Sequence, residues 1–251
     1  MTLKSPEEIA HMREGGKILA RILRAAAQRA IPGATGKELD NFIRSEMRTA
    51  NVRPAFLGYH PEGARTAYPA ASCISINDVI VHGLPSDEPF QKGDVVKIDA
   101  GLIYKKLYLD SAVTVGIGRV SRPARKLIQA TRGALEAGIA KARVGNTIGD
   151  IGSAINAYIQ KHGFVIVQNL AGHGVGYDLH EEPSVFNFGR AGHGLPLQEG
   201  LVIAIEPMAS ISSKQAVSRR DDSFATHDGS LSVQWEHTVA ITKDGPLILT
   251  E

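Results

Sequence analysis

The chain has 251 residues, 43% hydrophobic and 22% charged, with a formal net charge of +2. That composition suits a soluble globular protein of one large domain or two small ones, at ~100–200 residues per domain. Near-balanced charge without a basic block gives no case for nucleic-acid binding, and no apolar run approaches the ~18 residues of a membrane span.

The opening stretch MTLKSPEEIAHM has neither an apolar signal core nor a basic amphipathic transit pattern. Cys73 is the only cysteine, so an internal disulfide and a cysteine-based zinc site are excluded. A reduced, cytoplasmic protein is expected. Ser5-Pro6-Glu7-Glu8 starts the first helix with a Ser N-cap, Pro in the first turn and Glu closing a capping box. Ile9, Met12, Gly16, Leu19, Leu23 and Ala26 then recur at helical spacing and stop before Pro32-Gly33. Thr35 to Glu38 is a second capping box, followed by the apolar face Leu39, Phe42, Ile43 and Met47. Residues 54–69 read as loop. Residues 73–82, rich in β-branched side chains around Asn77-Asp78, read as a bent strand or hairpin.

Gly93-Asp94 turns into an apolar strand that ends at Asp99, and a second strand over 108–115 carries Asp110. Ser121-Arg122-Pro123 opens a third helix through about Ala142, and residues 144–150 start a fourth that runs to about Lys161. A strand over 164–167 leads into NLAGHGVGYDLHEEP. There Gly172, Gly174 and Gly176 argue against a helix and suit a backbone that comes close to something else. His173 and His180 lie in this stretch. Residues 201–206 form another apolar strand ending in an acid, Glu206, and residues 212–229 read as a polar loop or hairpin. A last strand over 232–241 contains Glu236 and His237.

The order of helix, helix and acid-bearing strands occurs twice. Gly33, Thr35, Leu39 and Ile43 match Gly145, Thr147, Ile151 and Ile155 at one constant offset. Gly93 and Asp99 match Gly200 and Glu206, and the segment from Asp110 matches that from Glu236. The expected architecture is α+β: a single domain over 1–251, with halves of roughly 1–118 and 119–251. Each half holds two helices and an antiparallel sheet, related by a pseudo-twofold axis. Asp99, Asp110, Glu206 and Glu236 would then meet near that axis among apolar strand residues, where unpaired carboxylates cost several kcal/mol. Only Lys97 lies near in sequence, on the face of Asp99 by alternation. Four carboxylates and an imidazole exceed one tetrahedral zinc site and suit two divalent ions ~3.5–4 Å apart. Mn, Fe, Co and Zn all remain open. His173 is the natural nitrogen ligand, which leaves His82 and His180 for substrate or oxyanion contacts.

These residues and their surroundings closely resemble the type I methionine aminopeptidases, which have the pita-bread fold. The ordered matches are CISINDVIVHGLP, IDAG, LAGHGVG, LHEEP, IEPM and QWEHTV, spanning nearly the whole chain. The resemblance implies a two-metal centre on Asp99, Asp110, His173, Glu206 and Glu236 that activates water against the first peptide bond. Glu206 is implied as a proton shuttle, His180 as the group steadying the scissile carbonyl, and His82 as the histidine near the scissile amide. It further implies a methionine pocket of Tyr59, Tyr68, Cys73 and Phe224, and a monovalent-cation site at Asn77, Val79 and Ser232. Initiator methionine would be removed from nascent chains whose second residue is small. The implied protein is monomeric, with the ribosome as a docking candidate and no membrane partner. An Xaa-Pro peptidase of the same fold and a non-catalytic binding module are the rival readings.

The chain departs from the usual pattern at Phe56, where cysteine is frequent, at Leu109, where glycine is common, and at Leu179, where an aromatic residue is frequent. The segment 61–67 lengthens the interval before Tyr68. His11, His60, His162, His193 and His227 read as solvated or structural, His237 and Trp235 as packing residues, and Arg219 to Asp222 as a solvated loop.

Overall fold

The computed structural model describes residues 1–60 and 66–251, so most of the 61–67 segment lies outside the described residues. The first half contributes helices α1 (Pro6–Arg29) and α2 (Gly36–Thr49). Its strands are β1 (Arg53–Pro54), β2 (Ser72–Ile76), β3 (Val79–Val81), β4 (Val95–Tyr104) and β5 (Leu107–Gly116). The second half contributes helices α3 (Arg122–Ile139) and α4 (Ile148–Lys161). Its first strands are β6 (Val165–Ile166), β7 (Ala171–Gly174), β8 (Glu181–Phe186), β9 (Val202–Ile205) and β10 (Met208–Ser210). The chain closes with β11 (Ala216–Ser218), β12 (Phe224–Thr226), β13 (Ser232–Gln234), β14 (Glu236–Thr242) and β15 (Gly245–Ile248).

Among the described residues the main sheet runs β1-β4-β5-β14-β9-β7-β8, with β2 on β4 and β15 on β14. Its central order, β4-β5-β14-β9, reads the same from either end once β4 is equated with β9 and β5 with β14. The β5–β14 seam pairs Ala112 with Glu236 and Ser111 with His237. One apolar core lies beneath α1 and α2 and another beneath α3 and α4. The duplication extends to detail. Thr35 and Thr147 both cap with full boxes and bridge to Pro89 and Pro196. Gly33 and Gly145 both take φ 91°, and Gly93 and Gly200 take 103° and 88°, conformations that favour glycine.

Two sequence expectations need correction and one is narrowed. β4 does not stop at Asp99 but continues to Tyr104, so that acid sits mid-strand. The extension is one arm of a hairpin with β5 that turns at Lys105 and Lys106, both at positive φ, without the usual Gly or Asn signal. Of the two readings of the 73–82 stretch, the bent strand holds and the hairpin does not. Asn77 at φ 53° splits it into β2, which pairs with β4, and β3, which pairs with β12. The last strand likewise breaks at Trp235 into β13, on β10, and β14, in the main sheet.

Candidate active site

Strand alternation decides which side chains reach the face away from the helices. On β4, Val96, Ile98, Ala100 and Leu102 join the α1/α2 core, so Lys97 and Asp99 point the other way. On β5, Leu107 and Leu109 do the same and turn Asp110 outward from that core. On β14, Val239 and Ile241 enter the α3/α4 core, which puts Glu236 opposite His237. The His237 Nδ1 lies 2.9 Å from the Thr250 hydroxyl, away from the acids. Glu206 follows β9 directly. All four carboxylates are buried.

His173 comes in on β7, whose backbone lies close to β9. A Cβ at Gly172 would stand 2.3 Å from the Ala204 carbonyl oxygen and 3.2 Å from Cγ of Glu206, so only glycine permits this approach. The His173 Nδ1 lies 2.9 Å from the Gly174 carbonyl. A carbonyl only accepts, so Nδ1 carries the proton and Nε2 turns a lone pair toward the acids. Nε2 is 3.7 Å from Glu206 Oε1 and 3.9 Å from Asp110 Oδ2. Asp110, His173 and Glu236 each offer a ligand atom within 4.8 Å of the others.

Burial is the main force on these groups. It pushes Asp110 up to about 7. It drives Asp99, Glu206 and Glu236 well above the carboxylate range, with mutual repulsion adding to the effect. Asp99 Oδ1, Asp110 Oδ1 and Glu236 Oε1 are buried without a hydrogen-bond partner among the described residues. Burial also draws His173 down to about 3, keeping its imidazole neutral. Bare acceptors and a neutral imidazole in one desolvated space fit divalent metal: cationic charge answers both the repulsion and the orphaned oxygens.

The cluster forms the floor of a cavity of about 320 Å³. Tyr59, Tyr68, Cys73, His82 and His180 line it, together with Phe56 and Leu179. Cys73 pairs directly across from Asp99, and burial holds its thiol protonated. Tyr68 is anchored by donating to the Ser72 and Gly83 carbonyls at 3.2 and 3.0 Å. Phe224 is not among the lining residues; it stands edge-on behind His82, ring centroids 5.7 Å apart. His82 follows β3 at φ 60°, a backbone state uncommon outside glycine, and burial lowers its pKa to about 4. The His180 ring lies 4.3 Å from that of His173, and its Nδ1 is 2.6 Å from the Tyr59 hydroxyl. Phe56, Leu179 and Cys73 pack as one cluster, so two of the departures from the family pattern share a wall. The third, Leu109, projects its Cδ1 to 2.7 Å from where a Cβ of Gly15 would stand, so the larger strand residue is matched by a bare helix position.

Several residues were not anticipated. Gln234 donates to Glu206 Oε2 at 3.1 Å, and Asn187 donates to the Glu206 carbonyl at 2.9 Å. Thr238 brackets the Asp110 backbone, accepting from its N–H at 3.1 Å and donating to its carbonyl at 2.7 Å. Gln234 stands two positions before Glu236, a spacing that hinted at a shared face. Arg219, Arg220 and Asp221 are exposed, as a solvated loop should be, but Arg220, Asp221 and Asp222 also line the cavity: β12 of the β11–β12 hairpin pairs with β3 and brings the tip to the mouth. Asn77, Val79 and Ser232 lie together, with the Ser232 hydroxyl donating toward the Asn77 and Val79 carbonyls at 2.9 and 3.2 Å. The Lys97 amine stands among them, and burial lowers its pKa to about 7, with Asp78 opposing.

The profile of metallopeptidase family M24 matches residues 10–243. The chain belongs to metallopeptidase family M24. A methionine aminopeptidase of Aquifex aeolicus is 46% identical over 253 residues, covering 99% of this chain and 98% of the relative. The crystal structure of methionine aminopeptidase from Rickettsia prowazekii matches with a TM-score of 0.95 at 35% identity, covering 100% of both chains. That from Thermotoga maritima matches with a TM-score of 0.95 at 36% identity, over 100% of this chain and 99% of the other. Within family M24 the chain groups with the methionine aminopeptidases, and its paired halves around a palindromic sheet are the expected pita-bread fold.

Proposed function

We propose that the chain hydrolyses the first peptide bond of polypeptides that begin with methionine. The observation that carries this reading is the cluster of buried Asp99, Asp110, Glu206 and Glu236 with half-buried His173, opening into a cavity walled by aromatic, aliphatic and thiol groups. A thioether side chain suits that wall. The five residues would hold two divalent ions, from among Co, Mn, Fe and Zn. When bound, such ions supply a water of lowered pKa and a positive charge for the developing oxyanion.

This chain's own residues do the rest. The wall formed by Tyr59, Tyr68, Cys73, Phe56 and Leu179 seats the methionine side chain. Acidic groups on the floor attract the free N-terminal amine, which makes the enzyme an exopeptidase. His180 donates to the scissile carbonyl oxygen, and His82, with Phe224 behind it, faces the scissile amide and the second residue. Glu206, its Oε2 held by Gln234, takes a proton at Oε1 and delivers it to the leaving nitrogen. A small second residue is preferred by inference from the family.

The same reading has the chain acting as one domain over 1–251, monomeric and cytoplasmic, on nascent chains at the ribosome. No helix among the described residues is long and apolar enough to cross a membrane. The test is to incubate metal-loaded protein with Met-Ala-Ser and Ala-Pro peptides and detect free amino acids. Methionine released from the first alone supports the proposal. Cleavage of the second alone points to a proline peptidase, and no turnover with any divalent metal points to a binding module.

A further inference from the structure

Lys97 is fully buried on β4, two residues before Asp99. Its Nζ donates to the Asn77 carbonyl at 2.8 Å, the Ser232 carbonyl at 3.3 Å and the Ser232 hydroxyl at 3.4 Å. No carboxylate is among its hydrogen-bond partners in the described residues. A buried lysine normally pairs with an acid, because a lone charge in the interior is costly. Here two main-chain carbonyls and a hydroxyl receive the amine instead.

That is the coordination an alkali cation prefers: hard oxygen donors, mostly carbonyl, with no nitrogen or sulfur among them. The Asn77 carbonyl is also approached by the Ser232 N–H at 3.1 Å and by the Ser232 hydroxyl at 2.9 Å, so its acceptor capacity is already filled. With Nζ this close to both carbonyls, a separate cation cannot coordinate the same oxygens. The residues that the family resemblance assigns to a monovalent cation therefore do not fit a free ion in this chain.

We propose that the Lys97 amine is a tethered replacement for a monovalent cation, joining the Asn77 turn to Ser232. The turn leads through β3 to His82, and Ser232 opens the strand that carries Gln234 before Glu236. Lys97 fastens these two approaches to the active site, and it does so from the strand that carries Asp99. It is a positioning residue that touches neither substrate nor divalent metal. A free ion would dissociate at low salt, whereas a side chain stays in place, so this protein is indifferent to which alkali ion surrounds it.

The test compares metal-loaded protein in sodium, potassium and tetramethylammonium chloride at one ionic strength, following the thermal midpoint and the ²³Na resonance. Wild-type protein is expected to give the same midpoint in all three salts and no saturable ²³Na broadening. Lys97→Ala is expected to show a lowered midpoint, raised saturably by sodium or potassium but not by tetramethylammonium, with ²³Na broadening that potassium competes away. Saturable, alkali-specific binding or stabilisation in the wild type overturns the proposal, and this arm stands whether or not a variant folds. A folded Lys97→Ala or Lys97→Asn protein that gains nothing from either alkali ion overturns it as well.

Discussion

The hydroxyl of Tyr59 lies 2.6 Å from Nδ1 of His180. If His180 is to donate from Nε2 to a scissile carbonyl, its Nδ1 must accept, and Tyr59 must be the donor. The phenol thereby selects the working tautomer. Burial raises the Tyr59 pKa, which keeps that proton in place. Tyr59→Phe should lower kcat on Met-Ala-Ser by about 10-fold, equivalent to ~1.4 kcal/mol, with metal content unchanged. An unchanged kcat would remove Tyr59 from the mechanism.

The proposed function gives the two histidines of the glycine-rich stretch different work. His173 turns a lone pair at Nε2 toward Glu206 and Asp110, whereas His180 stands farther up the cavity wall beside Tyr59. His173→Ala should lose divalent metal on dialysis. His180→Ala should retain it and lose about 10²–10³-fold in kcat, the range for removing one oxyanion donor. Metal analysis beside kinetics decides this, and the reverse pattern would exchange the two roles.

Metal and protons compete for the same carboxylates. Asp110 is raised to about 7, above its unfolded value of ~3.9, and the other three are raised by burial and repulsion. A raised carboxylate stabilises the fold fully below the unfolded pKa, and that contribution is lost as pH rises through the folded value. The metal-free protein should therefore weaken from this source between pH ~4 and ~7, while bound metal relieves it. His173, drawn down to about 3, has the opposite slope below ~6.5, because only the unfolded chain binds its proton there; metal-loaded and metal-free protein share that slope, so it cancels in the gap between them. Calorimetry should show the Tm gap between Mn-loaded and metal-free protein widening from pH 5 to pH 8. A constant gap would mean that the acids are ionised without metal.

Gly172 sets the distance between β7 and β9. With a Cβ 2.3 Å from the Ala204 carbonyl, Gly172→Ala has to push β7 outward, and His173 moves with it. Overpacking of this kind costs ~1–3 kcal/mol, and the displaced imidazole should lower metal affinity by at least about 10-fold. Calorimetric metal titration checks both the midpoint and the affinity; unchanged values would show that the strands have slack.

Much of this was legible in the chain because local rules governed it. The four helix caps follow from Ser5, Thr35, Ser121 and Thr147, and the duplicated spacing placed the acids in corresponding positions. Alternation put Lys97 on the face of Asp99 and His237 away from Glu236. What alternation could not reveal was the partner of Lys97, because Ser232 lies 135 positions away in sequence. Thr238 likewise meets Asp110 across 128 positions. The β4–β5 extension was hidden because Lys105-Lys106 carries none of the usual turn residues. The hairpin tip at Arg220 to Asp222 read as solvated loop since nothing in its composition signals that β12 would dock on β3.

In the proposed function, the converged acids and His173 hold the metal on which methionine release depends. The most direct measurement titrates Mn²⁺ or Co²⁺ into metal-free protein while mass spectrometry follows free methionine from Met-Ala-Ser. Release should be absent in chelator, rise with added metal, saturate by two ions per chain, and be lost in Asp110→Ala at the same metal concentration. Full release in chelator, or undiminished release by Asp110→Ala, would mean that these residues do not hold a metal on which release depends.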